Sequence, residues 1–179
     1  MSLSADFKIL GGLNLSWFND ESLEWTPKTG LVGGIGIEFD LSYRTLLEVD
    51  LLFFQKGGIE KNPETGNKHI LNVGSVPVLI RSKFWQGTSP YLAAGMEISS
   101  IISYTSKPND GDAQSYEESI HRLDYGLVAG AGIEFKLQEE LFFFVEARYH
   151  CGLRNLLILP LDGQERRTAS VVLLIGVRS

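Results

Sequence analysis

The stretch Leu31–Leu41, LVGGIGIEFDL, decides the fold. Its glycines admit two readings: a loop that wraps phosphate, or a strand that needs room. A phosphate loop requires G-x-x-x-x-G-K-[ST], or G-x-G-x-x-G opening a helix. Neither pattern is present, and alternation continues past Gly36 into a turn, so no helix N-terminus follows to hold an anion. Instead Leu31, Gly33, Ile35, Ile37 and Phe39 alternate with Val32, Gly34, Gly36, Glu38 and Asp40. That is period two, the signature of a strand with one greasy face and one small, polar face.

A near-copy further down turns the strand into architecture. VGGIGIEFDLSYRTLLEVDLLFFQKG, from Val32, aligns with VAGAGIEFKLQEELFFFVEARYHCGL, from Val128, placing Gly34 on Gly130, Gly36 on Gly132, Glu38 on Glu134, Phe39 on Phe135, Val49 on Val145 and Asp50 on Glu146. Gly95-Met96-Glu97 echoes the same core. The unit is strand, short turn, strand, and repeated hairpins build up-and-down barrels.

The same alternation recurs along the whole chain, in segments opening near Phe7, Leu31, Tyr43, Ile70, Pro90, Arg122, Leu141 and Ala169. These predict about eight strands of roughly 9–14 residues, the even count of outer-membrane barrels. Pro77 cannot donate to a ladder and predicts an irregularity in its strand. Long links (NDESLEWTPKTG, KGGIEKNPETGNK, SKPNDGDAQSYEES, LRNLLILPLDGQER) alternate with short ones (DLSY, WQGTS, LQEE), as long loops and short turns do on the two rims of a transmembrane barrel. The fold class predicted is all-β, an up-and-down antiparallel transmembrane β-barrel of about eight strands. Residues 1–5 read as an N-terminal tail, a start and cloning scar where a leader was removed, and residues 6–179 as the barrel domain.

Composition agrees. With 179 residues the chain makes one domain with a real interior, and its 19 glycines exceed the usual share. A net charge of -6 without a basic block excludes a nucleic-acid partner. The single cysteine, Cys151, excludes an internal disulfide or a multi-cysteine metal site. No window of about 18 apolar residues predicts a membrane helix.

The polar face carries Glu38, Glu48, Asp50, Arg81, Lys83, Glu97, Arg122, Asp124, Glu134, Lys136, Glu146, Arg148 and Arg178. Facing lipid, a Lys or Arg near the midplane would cost about 2–4 kcal/mol, so this face is predicted to point into the lumen, as a structural network of mutually paired charges. Glu97, Glu134 and Glu146 could imitate a hydrolytic carboxylate site, but interior ion pairing is the preferred reading. Trp17, Phe18, Phe39, Tyr43, Phe84, Trp85, Tyr91, Tyr104, Phe135 and Tyr149 sit near segment ends, as interfacial girdles do. His69, His121 and His150 fall toward the long-loop rim without metal-ligand spacing. Cys151 and His150, adjacent in a strand, should face opposite ways. No catalytic residue, metal or cofactor is expected.

LNVGSVPVLIRSKFW followed by SPYLAAGMEIS, then FFFVEARYHCGLRNL and the closing ASVVLLIGVRS, resemble the strand–Pro–strand hairpin, an internal strand and the last strand of the eight-stranded outer-membrane β-barrel family typified by PorT-like proteins. The resemblance covers nearly the whole chain. It implies an outer-membrane protein in contact with outer-membrane lipids, anchoring and displaying loops for binding, adhesion or envelope and secretion assembly, as a monomer, with a lumen plugged by charged side chains. RYHCGLRN is also similar to the His-containing strand of outer-membrane lipid A deacylases. Two alternatives follow: a lipid A-modifying hydrolase with His150 on the lipid face, and a soluble lipocalin-like carrier with an apolar interior and polar exterior.

Overall fold

The computed structural model describes residues 5–20, 25–60, 68–107, 114–115, 123–154 and 166–179. Among the described residues there are nine strands: β1 (Ala5–Asp20), β2 (Trp25–Asp40), β3 (Thr45–Glu60), β4 (Lys68–Lys83), β5 (Ser89–Lys107), β6 (Gln114–Ser115), β7 (Leu123–Lys136), β8 (Phe142–Gly152) and β9 (Arg166–Arg178). β6 only adds two residues to β5. The other eight pair in the order β4-β3-β2-β1-β9-β8-β7-β5, and β4 pairs with β5 to close an antiparallel barrel. β1 opens at Ala5, paired with Phe39, one residue before the expected start of the barrel domain.

The register fixes the barrel's shape. The pairs Phe7↔Ile37↔Val49↔Val78↔Met96↔Leu127↔Cys151↔Ala169↔Trp17 make one circuit that leaves β1 at Phe7 and returns at Trp17, ten residues further along. Eight strands with that stagger tilt by roughly 40° and enclose a backbone radius of roughly 8 Å. Such an interior has room for side chains and little else.

The outer surface is greasy. Phe7, Ile9, Ile35, Leu51, Leu92, Met96, Leu127, Leu173 and Ile175 all point outward and are exposed. Among the described side chains on this face, Arg167 near the long-loop rim is the one charge. From Phe7 to Trp17 the band rises about 25 Å, the height of the apolar belt of an outer-membrane barrel. This overturns the lipocalin-like alternative, which needs a polar exterior.

Aromatics ring both ends of the band. Phe84 and Trp85 lie 6.2 Å apart and Phe135 and Phe143 6.3 Å apart on the short-turn side, while Trp17 and Tyr149 lie 6.5 Å apart on the other. Two girdle candidates do not belong: Phe18 and Tyr91 are 4% and 1% exposed and point inward. Phe18 follows outward Trp17, and neighbours on a strand take opposite faces. The side chain of Tyr104 lies outside the described residues.

Loop lengths depart from strict alternation. The short turns are residues 41–44, 84–88 and 137–141, but the link from β1 to β2 is only residues 21–24. The segment expected to be a long loop there is mostly strand. β1 to β4 each run 16 residues, more than the roughly 9–11 that span a bilayer. Residues too polar for lipid still pair in the ladder, so the strands extend beyond the membrane, with a register shift between Pro27 and Val32.

Candidate functional site

The lumen is the one interior the fold creates, and its contents fall into three regions. Near the short-turn rim stands a charge network. Lys8 Nζ lies 2.5 Å from Glu48, 2.8 Å from Asp50 and 3.6 Å from Glu38. Arg81 reaches Glu38 at 2.9 Å and Glu48 at 2.8 Å, with Glu146 and Glu134 at 3.5 and 3.6 Å. Arg148 donates to Glu48 at 2.6 Å, Asp50 at 2.7 Å and Glu146 at 2.8 Å. Arg178 grips Glu134 with two nitrogens, at 3.1 and 3.2 Å, and pairs with Asp6, while Lys83 meets Glu134 at 2.6 Å. Tyr91 donates its hydroxyl to Glu146 at 3.1 Å, and the Arg81 guanidinium lies 4.1 Å from its ring centroid. Six carboxylates (Asp6, Glu38, Glu48, Asp50, Glu134, Glu146) thus share five cations (Lys8, Lys83, Arg81, Arg148, Arg178). Near balance makes the burial tolerable: an ion removed from water is compensated only when its partners are close and well oriented.

Glycines give these long side chains their space. A Cβ on Gly36 would sit 2.1 Å from the Asp50 carboxylate and 2.5 Å from Lys8 Cε, and one on Gly132 would sit 2.5 Å from the Tyr91 hydroxyl. Gly36 and Gly132, which the repeat aligns, are therefore clearances under the network.

Further up, the lumen turns apolar. Leu10, Val32, Leu52, Phe54, Val172 and Leu174 pack together across β1, β2, β3 and β9, each buried, and Leu71, Val73, Ile101 and Phe144 extend the cluster to β4, β5 and β8. Against Phe54 lies a smaller polar group. Glu97 accepts a hydrogen bond from Ser75 Oγ at 2.7 Å and lies 2.9 Å from His150 Nδ1, with Lys56 Nζ at 4.0 Å. Ser99 donates to Ser75 at 3.2 Å, and Phe54 presents its ring edge-on to His150. An ionised carboxylate can only accept, so an ionised Glu97 would hold the His150 proton on Nδ1. The acid stands between hydroxyl and imidazole, whereas nucleophilic catalysis needs the imidazole in the middle.

Several residues singled out from sequence sit elsewhere. Lys136 shares the inward parity but is exposed at the short-turn rim, because β7 ends there and the side chain clears the barrel. Asp124 is buried near the long-loop rim, apart from the main network, where its carboxylate accepts from the Arg154 backbone at 3.3 Å. Arg122, His121 and the side chain of His69 lie outside the described residues. His150 is 1% exposed and turned into the lumen, which overturns the deacylase-like reading that required it on the lipid face; Cys151 takes the opposite face. Sequence reasoning missed Asp6 and Lys8 as network members, and Lys56 beside Glu97. Lys8 was legible as a lone charge on a polar face, but its three acidic partners lie on β2 and β3 and are joined only by the register.

Comparisons with known proteins agree with this geometry. The family described as "Outer membrane protein beta-barrel domain" matches residues 3–157. Among solved structures, OprG from Pseudomonas aeruginosa is 16% identical, with a TM-score of 0.64 over 98% of this chain and 95% of that one. Neisserial surface protein A is 16% identical, with a TM-score of 0.59 over 96% and 95%. The outer membrane protease OmpT from Escherichia coli is 10% identical, with a TM-score of 0.61 over 99% and 98%. At these identities the likeness is one of fold alone, and the fold is shared by a protease. A search of curated sequences returns no match. A closed eight-stranded barrel with a greasy exterior and a charged interior, matched by the family over most of its length, places the protein in the outer membrane as a member of the outer membrane protein beta-barrel domain family.

Proposed function

We propose that the protein is a sealed membrane anchor that displays the segments joining its strands at the long-loop rim, for binding, adhesion or assembly of an envelope complex. The observation that carries this reading is the burial of large side chains inside the barrel: Arg81, Arg148, Phe54, Phe144, Leu52 and Leu174 are all 0–1% exposed, which supports a bore filled at the level of the charge network and again at the apolar cluster. A barrel of this size is filled by its own side chains. Neisserial surface protein A, which shares the fold, is by its name a surface protein, and that supports display. Working as a monomer among outer-membrane lipids, the barrel supplies the anchor and the segments at 108–122 and 155–165 supply the contact surface.

Purified protein in planar bilayers should show no stepwise conductance, whereas a Leu52→Ala/Phe54→Ala/Leu174→Ala variant should leak. Steady channels in the native protein would defeat the sealed-anchor reading. Replacing residues 108–122 and 155–165 with short turns should abolish binding of expressing cells to host or envelope targets while the barrel still inserts; unchanged binding would move the function away from these segments.

A further inference from the structure

The wall of the barrel has a defect between β3 and β4. On the β5 side, the β4 ladder runs unbroken through Pro77↔Glu97. On the β3 side, pairing stops after Val49↔Val78 and resumes at Leu52↔Ser75, so Asp50/Pro77 and Leu51/Val76 drop out. Antiparallel partners exchange hydrogen bonds at alternate positions, and the two lost pairs both depend on an N–H at residue 77 that proline does not have. The backbone carbonyl of Asp50 therefore faces Pro77 without a ladder donor. Asp50 lies five residues into β3, roughly 12 Å above the short-turn rim and within the apolar belt, where no water supplies a donor.

A groove of about 590 Å³ opens on the outer surface beside this seam, walled over β1, β2 and β3 by Ile9, Ile35, Ile37, Val49 and Leu51, with Val76 of β4 at its edge. Its floor is the barrel wall at Lys8, Gly36 and Asp50. The volume is that of a ligand site, the side chains that wall it are apolar, and Asp50, whose carbonyl is the unpaired acceptor, is among the residues that line it.

We propose that this groove binds a lipid acyl chain carrying a mid-chain hydroxyl, the chain lying over Ile35 and Ile37 and the hydroxyl donating to the Asp50 carbonyl. A plain chain fills the same walls but leaves the acceptor bare. A hydroxyl close to a headgroup sits at the wrong depth. Unlike the sealed-anchor function, this site depends only on the lipid-facing surface, so failure of one leaves the other standing.

The test uses the full chain in neutral detergent with octadecanoic and 12-hydroxyoctadecanoic acids as probes, their binding measured by native mass spectrometry. The hydroxy acid should bind about tenfold more tightly, the worth of one hydrogen bond that would otherwise be unmade. Pro77→Ala restores the N–H and should bring the two acids within about twofold, with octadecanoic acid unaffected. Ile35→Trp should fill the groove and weaken both. Equal affinities for the native protein, a preference that survives Pro77→Ala, or undiminished binding to Ile35→Trp would each overturn the proposal.

Discussion

Arg148 concentrates the chemistry of the interior in one residue. It touches three carboxylates from two strands, and without it Glu48, Asp50 and Glu146 would face one another with only Lys8 and Arg81 to offset them. Removing one partner of a buried ionic group typically costs about 3–5 kcal/mol. Arg148→Met should lower stability in urea titrations of the micelle-bound protein by that amount. Adding Asp50→Leu should restore part of the loss, since the two sites couple and their effects do not add. An Arg148→Met variant as stable as the native protein would mean the network contributes nothing. The inward direction of Arg148 was legible from parity alone, because Tyr149 and Ala147 on either side are apolar. Its partners were not: Glu48 lies 100 residues away in sequence, and only the stagger of the closed barrel brings them together. The same limit hid Lys8.

At the scale of the strand, glycine position matters more than glycine content. Gly36 and Gly11 lie on adjacent strands and face opposite ways. A Cβ on Gly36 would strike the Asp50 carboxylate and Lys8, whereas one on Gly11 would meet nothing closer than the Val32 carbonyl at 3.7 Å. Gly36→Ala should therefore cost about 1–3 kcal/mol through forced displacement of a packed interior, and Gly11→Ala should change stability by no more than about 0.5 kcal/mol. Similar costs for both would show that the interior yields. The repeat in the sequence marked Gly36 as part of a duplicated hairpin, and period-two patterning assigned nearly every outward residue. Strand ends were harder to read. Asn19 and Asp20 look like loop residues, yet both pair with β9, because a ladder that leaves the membrane can go on with polar side chains. Division of the lumen into charged, apolar and polar regions was likewise hidden, since depth depends on strand number and stagger together.

For the whole molecule, the exterior is the solvent contract. Leu173, about midway up the belt and 53% exposed, meets lipid, and Leu173→Arg should cost about 2–4 kcal/mol. Ala5→Arg, at the short-turn rim, should cost about 0–1 kcal/mol. Urea titrations of both variants in the same lipid would check the depth dependence, and equal costs would contradict a transmembrane placement. The cylinder also has a seam where its two ends meet. Phe7 and Ser179 exchange two backbone hydrogen bonds, at 2.8 and 2.9 Å, and β1 pairs with β9 along thirteen positions from Lys8↔Arg178 to Asp20↔Arg166. Every other neighbouring pair is joined by a turn or a loop, but this one must be found across the whole chain, and closing so long a loop carries the largest entropy cost. Arg178, on that last strand, is also what links Glu134 to Asp6. Assembly therefore has a point of no return: until the final strand arrives, the half-made cylinder exposes unmatched backbone edges and unneutralised acids to the bilayer, and its arrival cures both defects in one step.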